Sequence, residues 1–544
     1  MLQDPDLLSV QEVRSKVEKA SAAAKTFRAF TQEQVDHIVE EMAASARGAA
    51  RKLAEFAVEE TGYGNAADKF LKNMLAADLL PKAMRGMKTI GVLRELPEQK
   101  MVEMAEPVGV VAAILPTTNP TSTAIYKALI SVKAGNAVVL SPHPRARKCS
   151  CATAELLREA ATRAGAPEDL VGCVGHSTIE GTNALMRHPK TGVILSTGGS
   201  GIVRAAYSSG KPAYGVGPGN VPVLVDVSAD IAEAVRGVVR GKSFDYGTLC
   251  SSEQTLVAER PLRDWILAEL KACKAYLCDA SQSDALGRLL ITPSLGVNPE
   301  CVGQPAARIA TMAGFEVPGD TSILAAEIQG IGPRYPLSAE KLSPVLALFF
   351  AGSFEEAMDA CEAVLRLNGL GHTCGIYGTD EARIREYAMR MPAFRVVANT
   401  PTPLGSTGIT TNVFPAMTLG CGAMAGNSTG DNISPLHLIN VKRLAWGVRA
   451  SEGVDVDRNM VSEAVERFLA RRIGKVEDAG EQPAVPVANR PPVADPPPTV
   501  DFVCEEDVRV AIAKGEKIYI KERTIVTPSA RDLAGRHDTL VIAS

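Results

Sequence analysis

The chain has 544 residues, too many for one small core, and domain sizes of roughly 100 to 200 residues predict three or so units. Its composition, 46% hydrophobic and 22% charged, is that of a globular protein, and a net charge of -4 supplies no basic footprint for nucleic acid or an anionic membrane, so a small-molecule substrate is expected. No basic and apolar leader and no run of about 18 apolar residues is found, and eleven cysteines without a CxxC pair read as reduced thiols; an intracellular, cytoplasmic protein is expected.

Near the start, Ser9 with Glu12 and Thr31 with Gln34 each fit a capping box, and Val35, Ile38, Val39 and Met42 follow the second at helical spacing. The first 60 residues therefore read as helices. From Pro107 the pattern changes to short, continuously apolar, β-branched runs at Val108 to Leu115, Ala137 to Leu140, Val193 to Leu195 and Val221 to Val225. Helical stretches lie between them: Thr121 to Lys133, closed by Ala134-Gly135-Asn136, and Lys148 to Ala164, closed by Gly165. The alternation predicts a doubly wound α/β sheet with ligands at the carboxyl ends of its strands. Cys149 and Cys151 lack further ligands at metal spacing and read as structural, so no metal site is expected.

A second α/β segment is expected from about 226 to 430, with Ile231 to Phe244 as a helix that delivers the chain to Cys250. Seven prolines then fall between residues 476 and 500, a stretch with no packing face that predicts an extended, semi-rigid linker. Beyond it, Val508, Ala511 and Ile512 share a helical face ended by Gly515, and Ile518 to Val526 is strand-like. Thr527 supplies an N-cap with Pro528 at the first helical position, Ala530, Leu533 and Ala534 form a stripe, and Gly535 is placed to stop that helix.

Four segments carry chemistry. In Asp245-Tyr-Gly-Thr-Leu-Cys-Ser-Ser-Glu253 one cysteine sits among small residues after a helix, where a thiolate can attack an aldehyde carbonyl and leave a thioester once hydride departs. Free cysteines are commonly buried hydrophobes, and composition alone does not select Cys250 from eleven. Leu115-Pro-Thr-Thr-Asn-Pro120 follows a strand and opens a helix, so the Asn119 amide can stabilise an oxyanion, although Asn-Pro is also an ordinary helix start. Ser196-Thr-Gly-Gly-Ser-Gly201 lies between a strand and a helix, where small residues let amides approach a phosphate. Tyr214-Gly-Val-Gly-Pro-Gly-Asn220 contains G-x-G-x-G, which fits a shaped loop as well as a dinucleotide grip.

In this order the segments resemble the aldehyde dehydrogenase superfamily over roughly residues 5 to 460. The resemblance implies Cys250 as nucleophile, Asn119 as oxyanion donor, and Glu340 of Glu340-Lys-Leu-Ser-Pro-Val345 as the glutamate that orients the nicotinamide ribose. It implies NAD held along Thr197, Gly198, Gly199 and Gly201, with Pro142 and His143 beside the adenosine. Hydrolytic members carry a water-activating glutamate where Gly215 stands here, so the thioester is expected to wait for a thiol such as coenzyme A. Leu140-Ser-Pro-His-Pro144, Gly215-Val-Gly-Pro-Gly-Asn220, Leu249-Cys-Ser-Ser-Glu-Gln254 and Thr418-Leu-Gly-Cys-Gly422 are similar to the acylating branch, including the ethanolamine and propanediol pathway enzymes. Ser141 replaces a lysine found near the adenosine ribose of hydrolytic members, which leaves NAD against NADP open, and Ala423-Met-Ala425 replaces Thr-Trp-Gly beside the expected aldehyde pocket.

The implied architecture is a Rossmann-type nucleotide-binding domain with N-terminal helices (1–225), an α/β catalytic domain (226–430), a return to the nucleotide domain with a β extension for oligomerisation (431–475), the linker (476–500) and a docking module (501–544). The tail is similar to segments appended to enzymes of bacterial microcompartments, which implies the compartment lumen and shell or cargo proteins as partners, alongside a homo-oligomer; completing the oligomer is the tail's alternative role. Two rival functions stand beside an acylating enzyme: a hydrolytic dehydrogenase, and a scaffold that keeps the fold.

Overall fold

The first helices begin where their caps dictate. Asp4 accepts from the N–H groups of Asp6 and Leu7 and starts a helix over Pro5–Phe27. Ser9 therefore lies inside a helix, a correction to its expected capping role: its hydroxyl donates to the His176 carbonyl, while Glu12 accepts from Gly175 N–H at 2.7 Å. Thr31 and Gln34 do form a reciprocal capping box, at the head of Gln32–Thr61, which ends on left-handed Gly62. A short helix, Ala66–Met74, follows.

In this computed structural model the described residues are 4–449, 462–463, 465–468, 499–537 and 539–542. The chain divides into two compact units, Met1–Arg449 and Ala450–Ser544. Strands β1 (Val92–Leu96) and β2 (Met101–Pro107) pair antiparallel ahead of the first large sheet. That sheet contains β3 (Val110–Ile114), β4 (Ala137–Ser141), β5 (Val171–Cys173), β6 (Thr191–Thr197) and β7 (Ala213–Val216), all parallel in the order β5-β4-β3-β6-β7. The chain leaves β3 to one side and returns to β6 on the other, so a topological switch point lies between them. Strands β3 and β4 are buried at every residue, as continuous Val, Ala, Leu and Ile demand, and so is the helix Pro120–Lys133 that connects them.

The second sheet is also parallel and has seven strands: β8 (Val221–Val225), β9 (Glu253–Glu259), β10 (Tyr276–Cys278), β11 (Leu324–Glu327), β12 (Val345–Ala351), β13 (Gly371–Tyr377) and β14 (Ala393–Ala398). Their order is β10-β11-β12-β9-β8-β13-β14. β8 lies on the first-domain side of the division expected at 225/226, yet it bonds β9 and β13, so the chain changes sheets in the loop between β7 and β8. β15 (Ile439–Ala445) returns to pair antiparallel with β2, completing a three-stranded sheet whose last strand is exposed from Asn440 onward.

The second unit is a small α/β module. β16 (Val500–Val503), β17 (Ile518–Val526) and β18 (Leu540–Ile542) run parallel, joined by helices over Glu505–Lys514 and Pro528–His537. Val503, Val508, Ala530 and Ala534 form its buried core. Gly515 closes the first helix in the left-handed conformation as expected, but the second runs past Gly535 to His537. The proline-rich stretch 476–498, and 450–475 apart from 462–463 and 465–468, lie outside the described residues.

Candidate active site

Four loops leave the carboxyl edge of the first sheet: Thr118-Asn119 after β3, Pro142-His143 after β4, Gly198-Gly199 after β6, and Gly217 to Asn220 after β7. The other chemistry-bearing residues are supplied by the amino ends of strands in the second sheet. Cys250 precedes β9, Asn220 immediately precedes β8, Glu340 precedes β12, and His372 lies at the start of β13.

Cys250 reaches this junction through a turn, Phe244–Gly247, in which Asp245 and Tyr246 have positive φ of 47° and 53°. Non-glycine residues hold such a conformation only where their surroundings over-determine it. Here the fully buried Asp245 carboxylate accepts from Asn65 N–H at 2.8 Å, Lys69 Nζ at 3.0 Å, Thr248 Oγ1 and Lys72 Nζ. Burial favours its protonated form, but the two ammonium groups outweigh this and hold the carboxyl below its ordinary value.

Cys250 is half-buried as a residue, and its sulfur lies 3.1 Å from His372 Nε2. His372 Nδ1 is 3.0 Å from the Thr373 hydroxyl; in the tautomer with Nδ1 donating there, Nε2 accepts from the thiol. Burial, then the negative charge of Glu340, pushes the Cys250 thiol up to about 12, while burial and the nearby Arg395 guanidinium hold His372 well below its ordinary value. At neutral pH the pair is a protonated thiol facing a neutral imidazole, an arrangement in which the ring nitrogen can take the thiol proton. Arg395 itself is buried and clamps the neighbouring loop by donating to the carbonyls of Gly420 at 2.6 Å and Gly430 at 2.8 Å.

Glu340 is buried, and its Oε1 accepts from Gly219 N–H at 3.1 Å. Burial raises its carboxyl to about 7 against the opposing pull of Gly219 N–H, Lys242 and Lys341. Gly219 also touches the Cys250 backbone, since a Cβ there would stand 2.1 Å from the Cys250 carbonyl oxygen. The adjacent Asn220 amide fixes this loop by donating to the carbonyls of Ser338, Val364 and Leu367 at 2.8, 2.9 and 3.0 Å. On β7, Gly215 N–H donates to the Tyr207 hydroxyl at 3.0 Å, and a Cβ on Gly215 would meet Val203 Cγ1 at 2.8 Å and Tyr207 Cε2 at 2.9 Å.

Asn119 is buried at the head of Pro120–Lys133. Its Oδ1 accepts from Lys72 Nζ and its Nδ2 donates to Thr118 Oγ1 at 3.0 Å. The glycine segment Thr197 to Gly201 leads from β6 into the helix Ser200–Tyr207, and Cβ atoms on Gly199 or Gly201 would meet open space. Beside it is a cavity of about 460 Å³ whose lining includes Arg204, Tyr207, Gly217, Arg366, Cys421 and Met424. Two guanidinium groups and a helix start around one cavity are a donor set suited to a ligand bearing phosphates, so the residues present fit a dinucleotide or a coenzyme A. Met424, from the segment expected beside the aldehyde pocket, lines this cavity. Pro142 is buried and His143 exposed at the end of β4, where His143 Nδ1 accepts from Arg145 N–H at 3.2 Å.

The structure thus brings together Cys250, Glu340 and the Gly217 to Asn220 loop, and joins Asn119 to the Cys250 turn through Lys72 and Asp245. Sequence reasoning missed His372 and the buried lysines. The available signal for the histidine was Gly369-Leu-Gly-His-Thr-Cys-Gly375, a lone imidazole among small residues at a strand start.

The model of the aldehyde dehydrogenase family matches residues 3–279. The bifunctional aldehyde-alcohol dehydrogenase AdhE of Escherichia coli (strain K12) is 42% identical over 443 residues, which are 80% of this chain and 50% of the relative; the chain spans about half the length of such curated relatives. The crystal structure of an acetylating aldehyde dehydrogenase from Geobacillus thermoglucosidasius is 49% identical with a TM-score of 0.81, covering 82% of this chain and 99% of that one. A propionaldehyde dehydrogenase of Rhodopseudomonas palustris, solved with bound CoA and an acylated cysteine, is 29% identical with a TM-score of 0.72, covering 80% of this chain and 97% of that one.

Proposed function

The chain belongs to the aldehyde dehydrogenase family, and from that premise we propose that it oxidises a short-chain aldehyde to an acyl-CoA, with Cys250 as nucleophile and NAD as hydride acceptor. The observation that carries this reading is the pairing of Cys250 with His372 at 3.1 Å in a site that has Gly215, and no carboxylate, at the water-activating position.

The aldehyde carbon is attacked by the Cys250 sulfur as the thiol proton passes to His372 Nε2. The adduct's oxygen is held by the Asn119 amide and the Cys250 N–H, and its proton returns there from His372. The C–H bond of this thiohemiacetal then breaks as a hydride and its O–H proton leaves, so a thioester remains on Cys250. A nicotinamide dinucleotide held along Thr197 to Gly201, beside Glu340, supplies the acceptor for that hydride. Coenzyme A finally displaces Cys250, whose thiol is restored. The sum is aldehyde, coenzyme A and NAD giving acyl-CoA, NADH and a proton.

His372 also argues for transfer over hydrolysis. A neutral imidazole is a far better base toward a thiol, ordinarily about 8.5, than toward water, at about 15.7. Incubation with propanal and NAD tests the reading. Acyl-CoA formation that depends on coenzyme A is expected, and sustained NADH with free acid in its absence would sink it. Cys250→Ala is expected to abolish acyl-CoA formation while the fold persists.

We further infer that the chain forms a homo-oligomer through the sheet of β1, β2 and β15, because the apolar Val441 and Leu444 and the nearby Trp446 are exposed at that sheet's end. The tail module supports packaging in a bacterial microcompartment lumen. Its exposed Phe502 and Ile525 are cross-strand partners that offer an apolar patch to shell or cargo proteins. Co-sedimentation with shell proteins that survives loss of the tail would overturn that assignment.

A further inference from the structure

Lys69 and Lys72 stand one turn apart on the helix Ala66–Met74, and both are buried, with 2% and 1% of their surface exposed. Burying an ammonium group is costly unless charge and hydrogen bonds compensate, so two of them on a nine-residue helix demand a reason. Charge neutralisation of Asp245 explains one. Lys69 Nζ bonds Asp245 Oδ2 at 3.0 Å and the Thr118 carbonyl at 2.9 Å, which is enough to pair the carboxylate. Lys72 makes a different set of contacts: Asp245 Oδ2, the Thr248 hydroxyl at 3.4 Å, and the side-chain oxygen of Asn119.

That last contact decides which way the Asn119 amide faces. An ammonium group donates only, so it selects the oxygen end of the carboxamide and leaves the NH2 end, one N–H of which donates to Thr118 Oγ1 at 3.0 Å and the other of which is left for a further partner. The NH2 end is the one an oxyanion requires. Through Asp245 and Thr248 the same Nζ is tied to the turn that carries Cys250, so the donor and the nucleophile are referenced to one atom.

We propose that Lys72 is a positioning residue: its ammonium fixes the Asn119 carboxamide with its NH2 toward the adduct oxygen and holds that donor in register with the Cys250 turn. The proposal rests on the reading of Asn119 as an oxyanion donor. Lys69 holds the Asp245 charge when Lys72 is replaced, which favours a folded variant. Burial lowers Lys72 to about 8, so the group still carries its charge at neutral pH.

The test is a double-mutant cycle on the full chain with Lys72→Met, Asn119→Ala and the pair, assayed with propanal, NAD and coenzyme A. Loss of an oxyanion donor lowers kcat by about 100- to 1000-fold, and displacement of one costs about 100-fold. Lys72→Met is expected to lower kcat about 100-fold with KM for NAD and coenzyme A unchanged, and the double variant to be no slower than Asn119→Ala alone. Lys72→Gln, which still donates to the Asn119 oxygen, is expected to recover part of the loss. Large single losses that multiply in the double variant would overturn the proposal and leave the Asn119 reading intact. An Asn119→Ala variant with near-normal kcat would overturn both. If neither Lys72 variant folds, the lysine is structural and the proposal fails.

Discussion

The proposed nucleophile, Cys250, is an unusually weak acid before substrate arrives. The Cys250 thiol is held up at about 12, with burial as the larger cause and the Glu340 carboxylate next, and burial brings Glu340 itself to about 7. Only the thiolate alkylates, so inactivation by iodoacetamide should climb about tenfold per pH unit from 7 to 10 without the plateau that an ordinary thiol of about 8.5 would show. Glu340→Gln keeps an acceptor for Gly219 N–H but removes the charge that raises the thiol. Alkylation of that variant should be several-fold faster than that of the parent above pH 7, where Glu340 is ionised. The difference should vanish at pH 5, where the parent's carboxyl is protonated. Equal rates at pH 8 would show that the two groups do not interact. At this scale no residue type was enough by itself: Cys250, Asn119 and Glu340 were singled out by the order of their segments and the family resemblance, and the structure places Cys250 and Glu340 on either side of Gly219. Lys69 and Lys72 did not, because a lysine in a helix is ordinarily a solvated charge, and only the tertiary fold shows Asp245, 173 residues further on in the Lys72 pairing, to be their counter-ion.

Elements were legible where an unbroken apolar run or a capped amphipathic helix marked them, and burial alone was not enough: β9 and β13, nearly as buried as β3, begin in polar or small residues and went unread. β3 and β4 read as unbroken apolar runs because parallel strands covered on both faces have no polar side, and the helix between them was found within a residue of its true start. β10 and β11 carried no comparable signal, being three and four residues long. The assignment of β8 was limited differently: its composition identified a strand, but nothing local says which sheet it joins, since pairing with β9 and β13 is decided by residues 253–259 and 371–377. The Ser9 box failed because Asp4 with Pro5 is a stronger start one turn earlier. The buried helix Pro120–Lys133 is where packing should be most sensitive. Leu129→Ala removes buried methyl groups and is expected to cost about 2–5 kcal/mol, seen as a lower denaturation midpoint in urea. The loop between β7 and β8 has a different sensitivity. Gly219→Ala would place a Cβ against the Cys250 carbonyl and should lower kcat by about 100-fold through displacement of the nucleophile, with the melting temperature changed far less. A variant with unchanged kcat would show that the approach is not needed.

At the scale of the whole chain, the residues assigned to chemistry all lie in the first unit, Met1–Arg449, and the tail module has a buried core of its own in Val503, Val508, Ala530 and Ala534. Removing residues 476–544 is therefore expected to leave kcat and KM unchanged while abolishing binding to shell proteins. Collapse of activity would place the tail in the catalytic body. The prolines that predict a linker lie outside the described residues, and the units divide earlier, after Arg449; the sequence did locate β17 and the start of the last helix. It did not reveal that the tail closes into a parallel sheet, because β16 and β18 are four and three residues long and acquire their pattern only by pairing.

The tight packing around Gly215 bears on evolutionary reversibility. If acyl transfer arose from a water-using ancestor by loss of a carboxylate, the vacated space no longer exists: Val203 and the Tyr207 ring now occupy the room a side chain would need, and the Tyr207 hydroxyl is bonded to the Gly215 backbone. A codon change at Gly215 alone would disturb β7 before it could recruit a water, so the return path passes through changes at Val203 and Tyr207 that bring no hydrolytic benefit by themselves. The glycine works as a ratchet, set by steric fit and independent of selection on the reaction.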